Sequence, residues 1–229
     1  MTDPWAFGWT QLLTIFGMII TVIIALGGFR TFGRWKREKL EERKIEIAFE
    51  ALSLAYESKF IFQNIRSPMA SGHEWKDMPE RPGETEHERN SRGGYYASAK
   101  RIYDHRDFFE RLFRIQPRVM ALFGAENENV FLLIHQARRT IEVAALMLAE
   151  RVGERHEPND DSTKELYEQM RVDLWAAGAQ YVKEGDRVGR QLQLFNNTIE
   201  ALCRPVIDRE YGRKPRTGVS GAIAEWLGI

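Results

Sequence analysis

Leu12-Leu13-Thr14-Ile15-Phe16-Gly17-Met18-Ile19-Ile20-Thr21-Val22-Ile23-Ile24-Ala25-Leu26 is the stretch whose reading decides the fold. From Pro4 to Phe29 no side chain carries a charge. A helix rises ~1.5 Å per residue, so about 20 residues cross a ~30 Å hydrocarbon layer. The run is long enough for that, and a soluble core rarely needs so long an uncharged helix. Trp5 and Trp9 stand at one end, Phe32 and Trp35 at the other. Aromatic side chains favour the membrane–water interface, so they mark both boundaries. A cleaved signal peptide is the competing reading, with Ala25-Leu26-Gly27 as a small-x-small site. However, Asp3 is the only charged side chain before the run, and the run is too long for an h-region. Residues 1–29 are therefore expected to form an N-terminal tail and an uncleaved transmembrane anchor.

Flanking charge sets the expected orientation. Arg30, Arg34, Lys36, Arg37, Lys39, Arg43 and Lys44 follow the span, against Glu38, Glu41 and Glu42, and no Lys or Arg precedes it. The positive-inside rule puts the N-terminus outside and the rest in the cytoplasm, at the cell membrane (the inner membrane in a bacterium). Residues 30–44 read as a basic juxtamembrane segment. Its Arg30, Arg34, Lys36, Arg37 and Lys39 are expected to meet anionic lipid headgroups as well as to set topology. Within the span, Gly17, Thr21 and Ala25 recur every four residues on one face, which would let two helices approach closely.

The chain has 229 residues, and Lys+Arg equals Asp+Glu at 33 each. A nucleic-acid partner usually asks for a basic excess, so none is expected. Cys203 is the single cysteine, which excludes an internal disulfide framework and a cysteine-rich zinc site. Scarce proline and abundant helix formers give an all-α reading.

Four apolar-periodic segments follow the anchor, and together they predict an antiparallel four-helix-type bundle with long helices over 45–211. The first runs from about Arg34 to Arg66. Leu40, Ile47, Ala51, Leu54, Ile61 and Ile65 form one stripe; Ile45, Ala48, Leu52, Ala55 and Phe62 widen it. Ser67-Pro68 ends it, because the residue before proline disfavours helix. Ser67 to Gly94 is rich in Pro and Gly and reads as a long, flexible loop dispensable for folding. A second helix is expected over Tyr95–Phe123, kinked or split by Pro117. Tyr95, Ala99, Ile102, Phe109 and Phe113 make its stripe. A third spans about Glu128–Arg155, with Val130, Ile134, Ala137, Ile141, Ala144 and Leu148 spaced alternately four and three. A fourth starts at a capping box of Ser162 and Glu165. It holds one seam from Leu166 through Met170, Leu174, Ala177, Tyr181 and Val188 to Val206, with a bend near Gly185.

Residues 212–229 form a basic and apolar tail. In an up-and-down bundle the fourth helix returns to the membrane side. Arg213, Lys214 and Arg216 would then lie near headgroups and Trp226 in the interface. The alternative is a short helix that caps the bundle and buries Trp226.

No catalytic constellation is legible, and no cofactor or metal site is expected. Glu84-Thr85-Glu86-His87 contains one Glu-x-x-His, whereas a di-iron bundle needs two on inward faces plus two further glutamates. His135 flanks the seam of the third segment and reads as a structural histidine. Cys203 lies beside Leu202 on an apolar seam and reads as packing. Gly185-Asp186-Arg187-Val188-Gly189 lacks the lysine and the preceding strand of a phosphate loop. Arg106, Arg138 and Arg139 are expected to face water. Asn196-Asn197-Thr198 fits a glycosylation acceptor in form, but it lies mid-helix on the expected cytoplasmic side.

Three functions remain compatible with this reading. The first is a non-enzymatic interaction or scaffold module at the cytoplasmic face, recruiting a protein partner or forming a homo-oligomer. The second is a membrane-associated sensor or effector of a stress or phage-defence type. The third is an enzyme acting on lipid or a small molecule through polar groups in the bundle.

Overall fold

The computed structural model describes residues 8–153, 160–175 and 185–210, apart from the side chains of Thr10, Arg30 and Glu210. The protein is all-helical, with no strand among the described residues. Its elements are α1 (Trp9–Ile65), α2 (Glu86–Asp104), α3 (Arg106–Phe123), a 3-10 turn (Ala125–Asn127), α4 (Glu128–Arg151), α5 (Asp161–Leu174) and α6 (Arg187–Glu210). The chain divides into two units at Glu46/Ile47.

The first unit is the N-terminal part of α1. Its large apolar side chains are exposed, among them Leu13 (69%), Ile24 (69%) and Phe29 (77%). This is the one described helix long and apolar enough to cross a membrane. Thr21 and Thr31 donate their hydroxyls to the carbonyls of Gly17 (2.8 Å) and Gly27 (2.9 Å). Both donors are thus satisfied inside the helix, as an apolar surrounding would require. Leu40, read as part of the buried stripe, is 59% exposed and belongs to this unit.

The second unit holds the hydrophobic core. From Ile47 onward α1 buries Ile47, Ala48, Ala51, Leu52, Leu54, Ala55, Ile61, Phe62 and Ile65, a face as wide as the two sequence stripes together. Polar contacts fix the register of its neighbours. Against α3, Glu50 pairs with Arg118 (2.6 Å), Glu57 with Arg111, and Asn64 with His105 (3.1 Å). Against α6, Tyr56 meets Arg204 (3.1 Å), Ser58 meets Asn196 (3.2 Å) and Arg66 meets Asp186 (2.8 Å). In both series one residue number falls as the other rises, so α3 and α6 each run antiparallel to this part of α1. Every residue of the α4 stripe, from Val130 to Leu148, is buried.

Several sequence boundaries move. The loop ends at Thr85, because a helix starts at Glu86 rather than Tyr95. Thr85 and Glu88 form a capping box there: the Glu88 amide donates to the threonine hydroxyl, and the Thr85 amide donates to the glutamate (2.7 Å). The loop is also anchored, since Met78 is buried and Trp75 packs on Gly93, where a Cβ would sit 2.6 Å from the ring. The second helix breaks at His105 (φ −92°, ψ 17°), which ends α2 and caps α3, while Pro117 stays inside α3. Pro117 lies on the exposed face, where the Phe113 carbonyl it leaves unbonded can reach water. Phe113 is 54% exposed and stacks on His135 instead of entering the core.

The described part of the third helix ends at Arg151, with Gly153 at φ +94° beyond it; the expected end at Arg155 lies outside the described residues. Asp160, not Ser162, caps α5, accepting from the Thr163 amide at 2.6 Å. The fourth segment is not one helix: α5 stops at Leu174, with Trp175 extended, and α6 starts at Arg187. Ala177 and Tyr181 of its seam lie outside the described residues, and Leu166 is 47% exposed.

Candidate functional site

The most distinctive surface belongs to the first unit. Eleven Leu, Ile, Val and Phe residues between Leu12 and Phe29 share an uncharged segment. In water each exposed apolar side chain carries a hydration cost; in hydrocarbon that cost vanishes. Arg34, Lys36, Arg37 and Lys39 follow the segment and are exposed. Lys39 bonds Glu42 at 2.6 Å, and that bond holds the Glu42 carboxyl below its ordinary range. The Arg30 side chain lies outside the described residues. Gly17 is open, with nothing within 4 Å of a Cβ placed there, and the Thr21 hydroxyl is used within its own helix. Phe32 and Trp35 sit together with ring centroids 5.8 Å apart. Arg213, Lys214, Arg216 and Trp226 lie outside the described residues.

Residues weighed for chemistry resolve into structure. Glu84 of the Glu-x-x-His is held by Arg92 at 2.5 Å, with both side chains under 10% exposed. Among the described residues no group of three His, Cys, Asp or Glu could hold a metal. His135 stacks on Phe113 and contacts Gln116 (3.3 Å); burial lowers its pKa and keeps the ring neutral. Cys203 is fully buried, which pushes its thiol up to about 11 and leaves it inert. Asn196 is buried and donates to Ser58 and to the Leu192 carbonyl, so it is no glycosylation acceptor in this fold. Arg106 leans on Tyr103, and Arg138 lies 4.8 Å over the Phe109 ring, so neither is a purely solvated arginine.

Two polar networks were not legible from sequence patterns. In the first, Arg66 donates to both Asp186 oxygens (2.8 and 3.1 Å) and to the carbonyls of Val172 (2.9 Å) and Asp173 (3.0 Å). The Asp173 carboxylate, fully buried, takes Arg187 through both oxygens and the Gln169 amide (3.0 Å). Asp186 also accepts the Gly189 amide at 2.8 Å. Two arginines and two aspartates thus tie the end of α1, the end of α5 and the start of α6 together. The second network pins the 67–85 loop. Arg101 reaches Glu74 (2.7 Å) and the carbonyls of Asn64, Ser67 and Met69. Arg92 holds Glu84 and the Pro79 carbonyl, and Arg81 reaches Glu150 and the last carbonyls of α4. The only sequence signal was arginine itself, whose forked donors suit carbonyl and carboxylate clusters.

In both networks arginines face carboxylates and backbone carbonyls of other segments and so tie those segments together. No family model matches the chain, and neither a curated protein nor a solved structure matches it.

Proposed function

We propose that the protein is a single-pass membrane-anchored interaction module. The apolar part of α1 crosses the bilayer with the N-terminus outside. Residues 47–210 form an antiparallel four-helix arrangement on the cytoplasmic side, built from α1, α3, α4 and α6, and serve as a scaffold for a protein partner or a second copy. The observation that carries the reading is the exposure of the large apolar side chains from Leu12 to Phe29, in contrast to the hydrophobic core that the second unit buries. The basic run Arg34–Lys39 supports the orientation and gives anionic headgroups a surface to meet. The arginine networks support a scaffold over an enzyme, because their guanidiniums are engaged by carboxylates and backbone carbonyls that join separate helices.

Membrane fractionation tests it. Each Leu, Ile, Val or Phe at the centre of a span favours insertion by about 0.3–0.6 kcal/mol, and each Arg opposes it by about 2.5–3.5 kcal/mol. The wild-type chain should stay in the membrane pellet after alkaline carbonate washing. Ile20→Arg together with Ile23→Arg should move most of it to the supernatant. Release of the wild-type chain by carbonate would overturn the reading.

A further inference from the structure

A groove of about 580 Å³ lies in the second unit between α2, the end of α4 and α5. Small-molecule sites usually measure about 300–1,000 Å³. Tyr95, Leu148 and Val152 give it an apolar side. Tyr95 is braced from behind, its ring stacked on Trp175 with centroids 4.9 Å apart and planes 11° apart. Among the described residues, Arg151, Lys164 and Arg171 supply the cations of the lining, against the carboxylates of Glu165 and Glu168. Arg151 lies 4.0 Å over the Tyr167 ring, so its guanidinium plane is fixed by stacking.

The charge pairs here differ from those in the buried networks. Arg171 meets Glu168 at 3.2 Å with both side chains more than half exposed, and Lys164 meets Asp161 at 3.3 Å in the same condition. Exposed pairs one helical turn apart contribute little and exchange readily. Each can give way to an incoming anion without uncovering a buried charge. Arg66, Arg92 and Arg101 cannot, because each side chain is itself under 10% exposed and also donates to backbone carbonyls. A flat apolar wall and replaceable cations therefore face one concave space.

We infer that this groove binds a small organic anion with a planar apolar body. The body lies against Tyr95, Leu148 and Val152, and the carboxylate, phosphate or sulfonate takes the Arg171 fork and Lys164. A guanidinium meets such groups through two parallel hydrogen bonds, which orients the ligand as well as holding it. The inference is independent of how, or whether, the chain is anchored.

The test is calorimetric titration of the full chain in zwitterionic lipid nanodiscs with two probes, adenosine monophosphate and naphthalene-2-sulfonate. Adenosine supplies body without charge and inorganic phosphate supplies charge without body. At least one probe should bind saturably at one site with Kd below roughly 1 mM. Adenosine and phosphate should each bind about tenfold or more weaker. Arg171→Gln and Lys164→Gln should each weaken the probe by about tenfold, the effect of losing a charge-assisted hydrogen bond. Lys164 is an exposed surface residue, so that variant keeps the test independent of folding. No saturable binding of either probe, or binding that both variants leave unchanged, would overturn the inference. Equal binding of adenosine and the monophosphate would overturn the role of the cations.

Discussion

Arg66 ties the end of α1 to the end of α5 and the start of α6. Its side chain is 5% exposed, and that of its partner Asp186 is 4% exposed. Removing one member of a buried pair leaves the other charge without compensation, at a cost of about 3–5 kcal/mol. Arg66→Met should therefore lower the thermal midpoint of the detergent-solubilised chain steeply, as read by near-UV circular dichroism. Arg114→Ala breaks a 4.0 Å pair whose side chains are 73% and 63% exposed, and it should change stability by less than about 1 kcal/mol. A small effect at Arg66 would mean that the end of α1 is not tied to α5 and α6 in this way. His135 gives a pH signature. Burial lowers its pKa, so between the folded value and the unfolded value near 6.5 the unfolded chain binds more protons. Its contribution is complete above pH ~6.5 and is lost as pH falls through the folded pKa. Glu74 is held low by Arg101 and enters only at lower pH, as its carboxylate protonates below about 4.5. The midpoint should fall from pH 7 to 5.5, and less so in His135→Gln. Identical slopes for the two proteins would remove His135 as the cause.

The elements show where sequence reading succeeds and where it stops. α4 was legible because Val130, Ile134, Ala137, Ile141, Ala144 and Leu148 recur at helical spacing and all six are buried. The inner face of α1 was legible for the same reason. The 67–85 segment was not, because arginines hold it from 27 to 34 residues away through Arg101 and from 68 to 71 residues away through Arg81. Periodicity cannot register such contacts, and the prolines and glycines pointed to a flexible loop. The break at His105 carries no Gly or Pro signal, while α3 continues through Pro117. The groove at Tyr95 and Arg171 was equally invisible, since it joins residues of α2, α4 and α5 that no local motif connects. This reverses the expectation that the loop is dispensable. Exchanging residues 68–84 for a short Gly/Ser linker should now destabilise the chain markedly, because the buried Arg92 and Arg101 lose their carboxylate partners and Met78 leaves the core. Gly93→Ala is a subtler probe. Its Cβ meets the Trp75 ring at 2.6 Å, and such overpacking costs about 1–3 kcal/mol. An unchanged melt in both variants would show that the loop does not pack on α2.

At the scale of the whole molecule, one unit exposes an uncharged apolar helix and the other buries a core stapled by arginines. Under the proposed function, the bilayer is the solvent that the first unit's apolar surface calls for. Cys203 is buried and inert, so a single engineered cysteine reports its own position. Thr2 precedes the apolar run, and Ser53 is exposed on the part of α1 beyond it. The direct measurement is labelling of Thr2→Cys and Ser53→Cys by a membrane-impermeant maleimide in sealed right-side-out vesicles. Thr2→Cys should label at once, and Ser53→Cys should label only after detergent opens the vesicles. Labelling of both positions, or of Ser53→Cys alone, before detergent is added would contradict the proposed orientation.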